Sequence, residues 1–429
     1  MPISTGLNKS TISVGIILPE DNIKAIVLQW VHDLGVKCDV DNLSCRKTII
    51  DVHQDSLHVD GKPFDGIFHI SSSDKLREIK PKLGIKITPV IAGRGFHWQK
   101  RIDAIFPGFL EIKIQNGNLM VINELSIESY VACVATSEMG AKAPINLLAA
   151  QTIVARCWAL AFIEKKHIDL GFDVCNDDCC QRYQGTTYLT EYSLNAAIMT
   201  ENEVVVFNNE VIDARYSKNC GAVSEAADKV WDIEPIPYLI VQNDRRKQTK
   251  NNDESFDDIL LINDAYCASS RFENINLSTM LGHVDKSNEY YRWTAHCLKS
   301  DILDAINNDF SLGWDKLLNF NILNRGKSGR ITKLELVCES NAVRQTFVLH
   351  SEYDIRKYLH TSFLYSSAFK LKNKDTVLND DAFILEGAGW GHGVGLCQMG
   401  ALGMALDGIH YHDILLHYFP NTAITKLNL

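Results

Sequence analysis

Glu138 stands six residues ahead of Pro144, in a stretch that feeds the long apolar run PINLLAAQTIVARCWALAFIEK, and that run carries one charged interior residue, Arg156. A carboxyl group in apolar surroundings is suited to general acid–base work on a bond whose leaving oxygen needs a proton. Arg156 needs an acidic or carbonyl partner, because an unpaired buried charge costs several kcal/mol. It either braces the fold or orients a substrate. A second group, HIDLGFDVCNDDCCQRYQG, offers His167, Cys175, Cys179 and Cys180, four donors suited to a closed tetrahedral zinc site. The same spacing also fits reduced thiols near a turn or a redox-labile pair. A third group is a glycine ladder, Gly387, Gly389, Gly391, Gly393 and Gly395, leading into a helix from near Leu396. No Lys-Ser/Thr follows it and the spacing is not a dinucleotide fingerprint, so nucleotide binding is rejected. His410, His412 and His417 lack the i, i+4 spacing of a helical metal site and are assigned none. GRGFHWQ, with His97 and Trp98, is either a sugar-stacking cluster or a half-buried strand.

The elements that must hold these groups follow from periodicity. TISVGIIL, GIFHI, GIKITPVI and FLEIKI alternate apolar and polar positions as strands of a mostly antiparallel sheet do. SIESYVACV reads as a short helix, TSEMGAKA as a loop, and Pro144 to Lys165 as a helix buried on most sides. EVVVFNNEVIDARYS predicts strands joined at Asn-Asn. NDRRKQTKNNDESFDD predicts a surface insertion, and Gly408 a helix stop after Asp407. The expected class is α+β: mostly antiparallel β with a buried alanine-rich helix. Residues 1–115 form a β-rich N-terminal region, and 116–429 a second domain with a polar insertion near 243–290.

Length and charge narrow the partners. A chain of 429 residues buries a core without staples, and 43 basic against 53 acidic residues give a net charge of -10. No cationic surface is available to collect counterion-release energy, so nucleic acid is excluded as a partner. The opening MPISTGLNKSTISVGIILPEDNIKAIVLQWV lacks a cationic start leading into an apolar core, and no stretch reaches about 18 uninterrupted apolar residues. No export signal and no membrane span are expected. Apart from Cys175, Cys179 and Cys180, the cysteines sit mostly singly in apolar runs, where a reduced thiol packs as a small hydrophobe.

The run SEMGAKAPINLLAAQTIVARCWAL resembles the signature of the SpoIID/LytB family. CCQRYQG at 179–185, YSKNCGAVSE at 216–225 followed by Trp231, and GAGWGHGVGLCQMGALGMA at 387–405 match in the same order. The resemblance implies a lytic transglycosylase that cleaves the MurNAc–GlcNAc bond of peptidoglycan glycan strands and leaves a 1,6-anhydro sugar. Glu138 corresponds to the family's catalytic carboxylate. One such group suffices, since the sugar's own C6 hydroxyl replaces water. Arg156, Tyr183, Tyr216, Ser217, Lys218, Trp390, His392 and Gln398 fall in matched motifs as candidate substrate contacts. For His392 the alternative is that the imidazole satisfies loop backbone. Arg156 is expected to approach Glu138 only loosely, because a guanidinium in contact favours the charged carboxylate over the acid. Ala149 stands where the family commonly has a lysine. The family also includes Cys/His zinc sites just before the Gln-x-Tyr motif, which implies a structural zinc on His167, Cys175, Cys179 and Cys180 and no organic cofactor. A different class is also implied, a non-catalytic enhancer of a separate cell-wall amidase. A zinc hydrolase would need an open metal position, which four protein ligands deny it. The substrate implies the cell envelope and the missing signal leaves the cytoplasm open, so the location is undecided.

Overall fold

The computed structural model describes residues 3–6, 10–30, 37–39, 47–96, 98–140, 142–247, 254–281, 290–372 and 381–427. His97, and parts of the polar insertion at 248–253 and 282–289, lie outside them. The chain forms two compact units, Met1–Asp213 with Ser278–Val284 and Ala423–Leu429, and Ala214–Leu277 with Asp285–Thr422. The boundary expected at 115/116 falls instead inside a hairpin, because Phe109–Gln115 pairs antiparallel with Asn118–Ser126 across the turn at Asn116 and Gly117.

In the first unit, alternation produces two six-stranded sheets. One runs Val174–Cys175, Thr11–Ile17, Asn118–Ser126, Phe109–Gln115, Phe68–Ser71, Lys37–Cys38. Its pairings are antiparallel except that of Thr11–Ile17 with Val174–Cys175. The other runs Lys62–Phe64, Ser56–Val59, Lys47–His53, Ala25–Trp30, Ile85–Ala92, Lys100–Phe106 and is antiparallel throughout. A third, small sheet places Glu203–Phe207 between Glu210–Val211 and Ala423–Lys426. Its hairpin turns at Asn208 and Asn209, whose φ values of 51° and 63° asparagine tolerates well.

Three helices, α1 (Ile127–Glu138), α2 (Ile145–Ala161) and α3 (Glu191–Met199), pack together in this unit. Helix α1 starts at Ser126, whose hydroxyl accepts the Ser129 N–H. It runs further than expected, through Thr136, Ser137 and Glu138, and the two hydroxyls bond back to the Cys133 carbonyl at 3.2 and 2.9 Å. Glu138 therefore sits on a helical turn rather than in a loop. Helix α2 is shorter than expected. Pro144 is its cap, and Phe162 ends it with a left-handed φ of 47°. Between Leu147 and Ala161 only Trp158 is not fully buried.

The second unit is α+β as well. Lys316–Arg325, Ile331–Ser340 and Val343–Leu349 form one antiparallel sheet, and Arg292–Leu298, Ala382–Ala388 and Phe369–Leu371 another. Strict alternation along Arg292–Leu298 turns Trp293, Ala295 and Cys297 into a core with Ile302, Leu334, Leu336, Ile355 and Phe369. Tyr216–Ser217 pairs in parallel with Leu396–Cys397, just ahead of helix Gln398–Leu406. That helix ends at Asp407 with Gly408 at φ 79°, as the sequence predicts. No described helix is long and apolar enough to cross a membrane.

Candidate functional site

In the first unit the last turn of α1 meets the segment 175–184. Glu138 is half-buried among buried neighbours, and its Oε1 accepts the Arg182 backbone N–H at 3.0 Å. One residue earlier, the Ser137 hydroxyl accepts the Gln184 N–H at 3.1 Å. Two backbone donors thus register the segment against the helix end. The Arg182 guanidinium donates to Asp178 Oδ1, at 2.9 Å from Nη2 and 3.1 Å from Nε. Burial pushes the Asp178 carboxyl above its usual range; Arg182 opposes the rise, and the charges of Glu138 and Asp177 add to it. Asp178 and Arg182 escaped sequence reasoning, although both lie in the CNDDCCQRYQG run that it singled out.

Arg156 is fully buried and paired with another glutamate. Its Nε and Nη2 donate to the two carboxylate oxygens of Glu128, in the first turn of α1, at 2.7 and 2.6 Å. Nη1 donates to the Glu203 carbonyl at 3.0 Å. Three donated bonds fix α1, α2 and the strand Glu203–Phe207 to one another. The reading of Arg156 as a substrate contact is thereby corrected, because a guanidinium so committed has no face for a ligand. Tyr183 is corrected similarly. It is 0% exposed, its ring lies against Phe106 and Tyr130, and its hydroxyl donates to Asn123 Oδ1 at 2.7 Å.

The four donors ahead of this segment converge. The ligating atoms of His167, Cys175, Cys179 and Cys180 lie within 4.8 Å of one another. Cys179 Sγ is 2.9 Å from Cys175 Sγ and 3.7 Å from His167 Nε2. Hydrogen bonds from Cys175 and Cys180, with His167 beside them, hold the Cys179 thiol low, and the Cys179 sulfur in turn pushes Cys175 up to about 12. One thiolate stabilised by its neighbours is the starting state of a metal-binding set. Such a set can hold a metal ion.

In the second unit, Tyr216, Ser217 and Lys218 run beside the glycine ladder. Gly389, Gly391, Gly393 and Gly395 take φ values of 71–91°, whereas at Gly387 the constraint is the Trp293 ring, 2.1 Å from any added Cβ. The ladder is shaped around Arg330, which the sequence did not flag. Arg330 is 0% exposed and donates to the Gly391 carbonyl at 3.2 and 3.0 Å, the Cys220 carbonyl at 3.2 Å and the Ser328 hydroxyl at 3.2 Å. Ser328 in turn donates to Glu225 Oε2 at 2.6 Å. A Cβ on Gly393 would lie 2.2 Å from the Arg330 Cζ.

Trp390 is half-buried against Tyr290 and Tyr365. His392 Nδ1 accepts the Val394 N–H at 3.0 Å, and its ring lies against Trp231. Desolvation, followed by the charges of Arg215, Arg330 and Arg356, lowers its pKa to about 3, so the ring is neutral at pH 7. One nitrogen thus serves the loop. Ser217 and Gln398 are buried, whereas Tyr216 and Lys218 are half-buried. Each unit holds its own share of the candidates: Glu138 and the first sulfur cluster in one, the glycine ladder and its flanking residues in the other.

Residues 115–207, which contain Glu138, α2 and the first sulfur cluster, match the Stage II sporulation protein family, SpoIID. Residues 225–395, with Arg330 and the whole glycine ladder, match a Domain of unknown function (DUF8618). An uncharacterized protein of Brachyspira hyodysenteriae is 26% identical over 365 residues, 83% of this chain and 84% of that one. The Stage II sporulation protein D of Bacillus subtilis is 24% identical over 321 residues, 71% of this chain and 76% of its own length. The amidase enhancer of the same organism is 24% identical over 307 residues, which are 68% of this chain but 39% of that protein.

Proposed function

We propose that this protein is a peptidoglycan lytic transglycosylase and that Glu138 is its acid and base. The observation carrying this reading is the separation of Arg156 from Glu138. The buried cation is committed to Glu128, and a backbone N–H positions the Glu138 carboxyl on a half-exposed helix end. Protonated Glu138 donates its proton to the glycosidic oxygen as the C1–O bond breaks. The resulting carboxylate takes the proton of the C6 hydroxyl as O6 bonds to the oxocarbenium-like C1, which closes the anhydro ring and restores the acid.

Zinc on His167, Cys175, Cys179 and Cys180 would be structural, since four protein ligands leave no open position. Its work would be to stiffen the segment that presents the Arg182 N–H. Glycan strands outside the cytoplasmic membrane are the substrate in this reading, and the cell envelope the place of action. The test is mass spectrometry of purified glycan strands, with and without stem peptides, after incubation with wild-type protein and Glu138→Gln. Anhydro-ended products from wild type alone support the reading, with the variant slowed at least about 100-fold. Intact strands with folded, zinc-loaded wild type overturn it. That outcome favours the second reading, an enhancer of a cell-wall amidase, which the likeness to an amidase enhancer supports.

A further inference from the structure

Cys220, Asp244, Cys267 and Cys397 come from four distant parts of the second unit, yet their ligating atoms lie within 4.8 Å of one another. All four are buried, at 2%, 1%, 0% and 0% exposure. We propose that they form a second, structural zinc site, Cys3Asp in composition, in which the ion ties the glycine-ladder end of the unit to the 244–267 segment. The proposal goes beyond glycan cleavage and does not rest on it.

Spacing supports a single ion. Sulfurs at about 2.3 Å from a tetrahedral zinc stand about 3.8 Å apart, and Cys220 Sγ is 3.7 Å from Cys267 Sγ. Those two sulfurs are separate, since a disulfide holds its sulfurs about 2.05 Å apart. Three thiolates with one carboxylate form a soft set that suits zinc better than magnesium or calcium.

The surroundings orient the donors as an outer shell does. Cys397 caps helix Gln398–Leu406, and its sulfur accepts the Cys220 and Gly400 N–H groups at 3.2 and 3.3 Å. Asp244 Oδ2 accepts the Cys267 N–H at 2.9 Å and Oδ1 the Tyr418 hydroxyl at 2.6 Å. Two of the carboxylate's roughly four acceptor positions are thus filled by a backbone N–H and a hydroxyl, which fix its orientation. Gly400 makes room for it, since an added Cβ would lie 2.7 and 2.9 Å from the Asp244 oxygens. Charge points the same way. A buried carboxylate among three thiols has His417 Nε2 at 3.8 Å from Oδ1, and that nitrogen is itself buried without a hydrogen-bond partner. A divalent cation supplies the missing positive charge.

The experiment measures zinc per chain by plasma mass spectrometry in full-length protein purified under reducing conditions with zinc present. The variants are Cys397→Ser, whose hydroxyl retains the helix cap, Cys179→Ser in the first cluster, and the double variant. Cys397→Ser is expected to lose one equivalent relative to its parent in both backgrounds. A folded Cys397→Ser protein with undiminished zinc overturns the site. Should that variant not fold, Cys179→Ser alone decides. One zinc retained, with Cys220, Cys267 and Cys397 alkylated only after chelation, supports the site. No zinc, or a Cys220–Cys267 disulfide in the intact mass, overturns it.

Discussion

The two units solve the same two problems with different material. In the first, the buried Arg156 is neutralised by a carboxylate, and the sulfur cluster takes its donors from fourteen consecutive residues, with Cys179 exposed. In the second, Arg330 rests on two backbone carbonyls and a hydroxyl, and the sulfur cluster joins residues up to 177 apart with every donor buried. A local cluster needs little of the fold in order to form. A distributed one exists only after the chain segments have met, which couples its metal to folding.

The largest expected difference concerns the arginines. Arg156→Met leaves the Glu128 carboxylate without its cation and should cost about 3–5 kcal/mol, whereas Arg330→Met leaves two carbonyls and the Ser328 hydroxyl without their donor and should cost about 2–3 kcal/mol. Urea denaturation measures both, and a costlier Arg330→Met would break the comparison. Next comes metal removal. Chelator at neutral pH should quickly strip the first cluster, where Cys179 is exposed, and slow glycan cleavage by about 10–100-fold, while the buried ion leaves far more slowly. Simultaneous release of both ions, followed with a colorimetric indicator, would remove the distinction.

Gly393→Ala combines a positive φ with an approach of 2.2 Å to Arg330 and should destabilise by about 2 kcal/mol or more. Combined with Arg330→Met it should cost less than the sum, which a double-mutant cycle reads out. The last effect is confined to acid pH and belongs to His392. Its folded pKa of about 3 lies below the unfolded value of 6.5, so the unfolded chain binds the extra proton between them. The stability from the neutral ring is complete above about pH 6.5 and is lost as the pH falls towards 3. His392→Gln should flatten the melting temperature over pH 4–7, and an unchanged slope would assign the dependence to other groups.

Legibility followed distance along the chain. The strands Thr11–Ile17, Phe68–Ser71, Ile85–Ala92 and Phe109–Gln115, the Asn208–Asn209 turn and the stop at Gly408 were readable because their signals are contained in a few neighbouring residues. The partner of Arg156 was not readable. Glu128 and Glu138 are both near it in sequence, and only the packing of α1 on α2 decides between them. Asp244 and Cys267 stood inside or beside a stretch whose polar composition signals surface, yet both are buried. Cys220 and Cys397 looked like isolated core thiols until the pairing of Tyr216–Ser217 with Leu396–Cys397 brought them together. Arg330 sits in the turn between Lys316–Arg325 and Ile331–Ser340, in a stretch with no chemical signature, and its role appears only where the ladder wraps around it.

The pairing of Glu203–Phe207 with Ala423–Lys426 sets an order of synthesis. Almost the whole second unit is made between those two strands. A ribosome must therefore translate more than two hundred residues before the first unit receives its last strand, and for that interval Glu203–Phe207 exposes one unpaired edge. Such an edge invites intermolecular pairing. Premature termination anywhere in the second unit would leave a nearly complete first unit with an adhesive margin. Such fragments should be cleared by proteases or aggregate rather than accumulate.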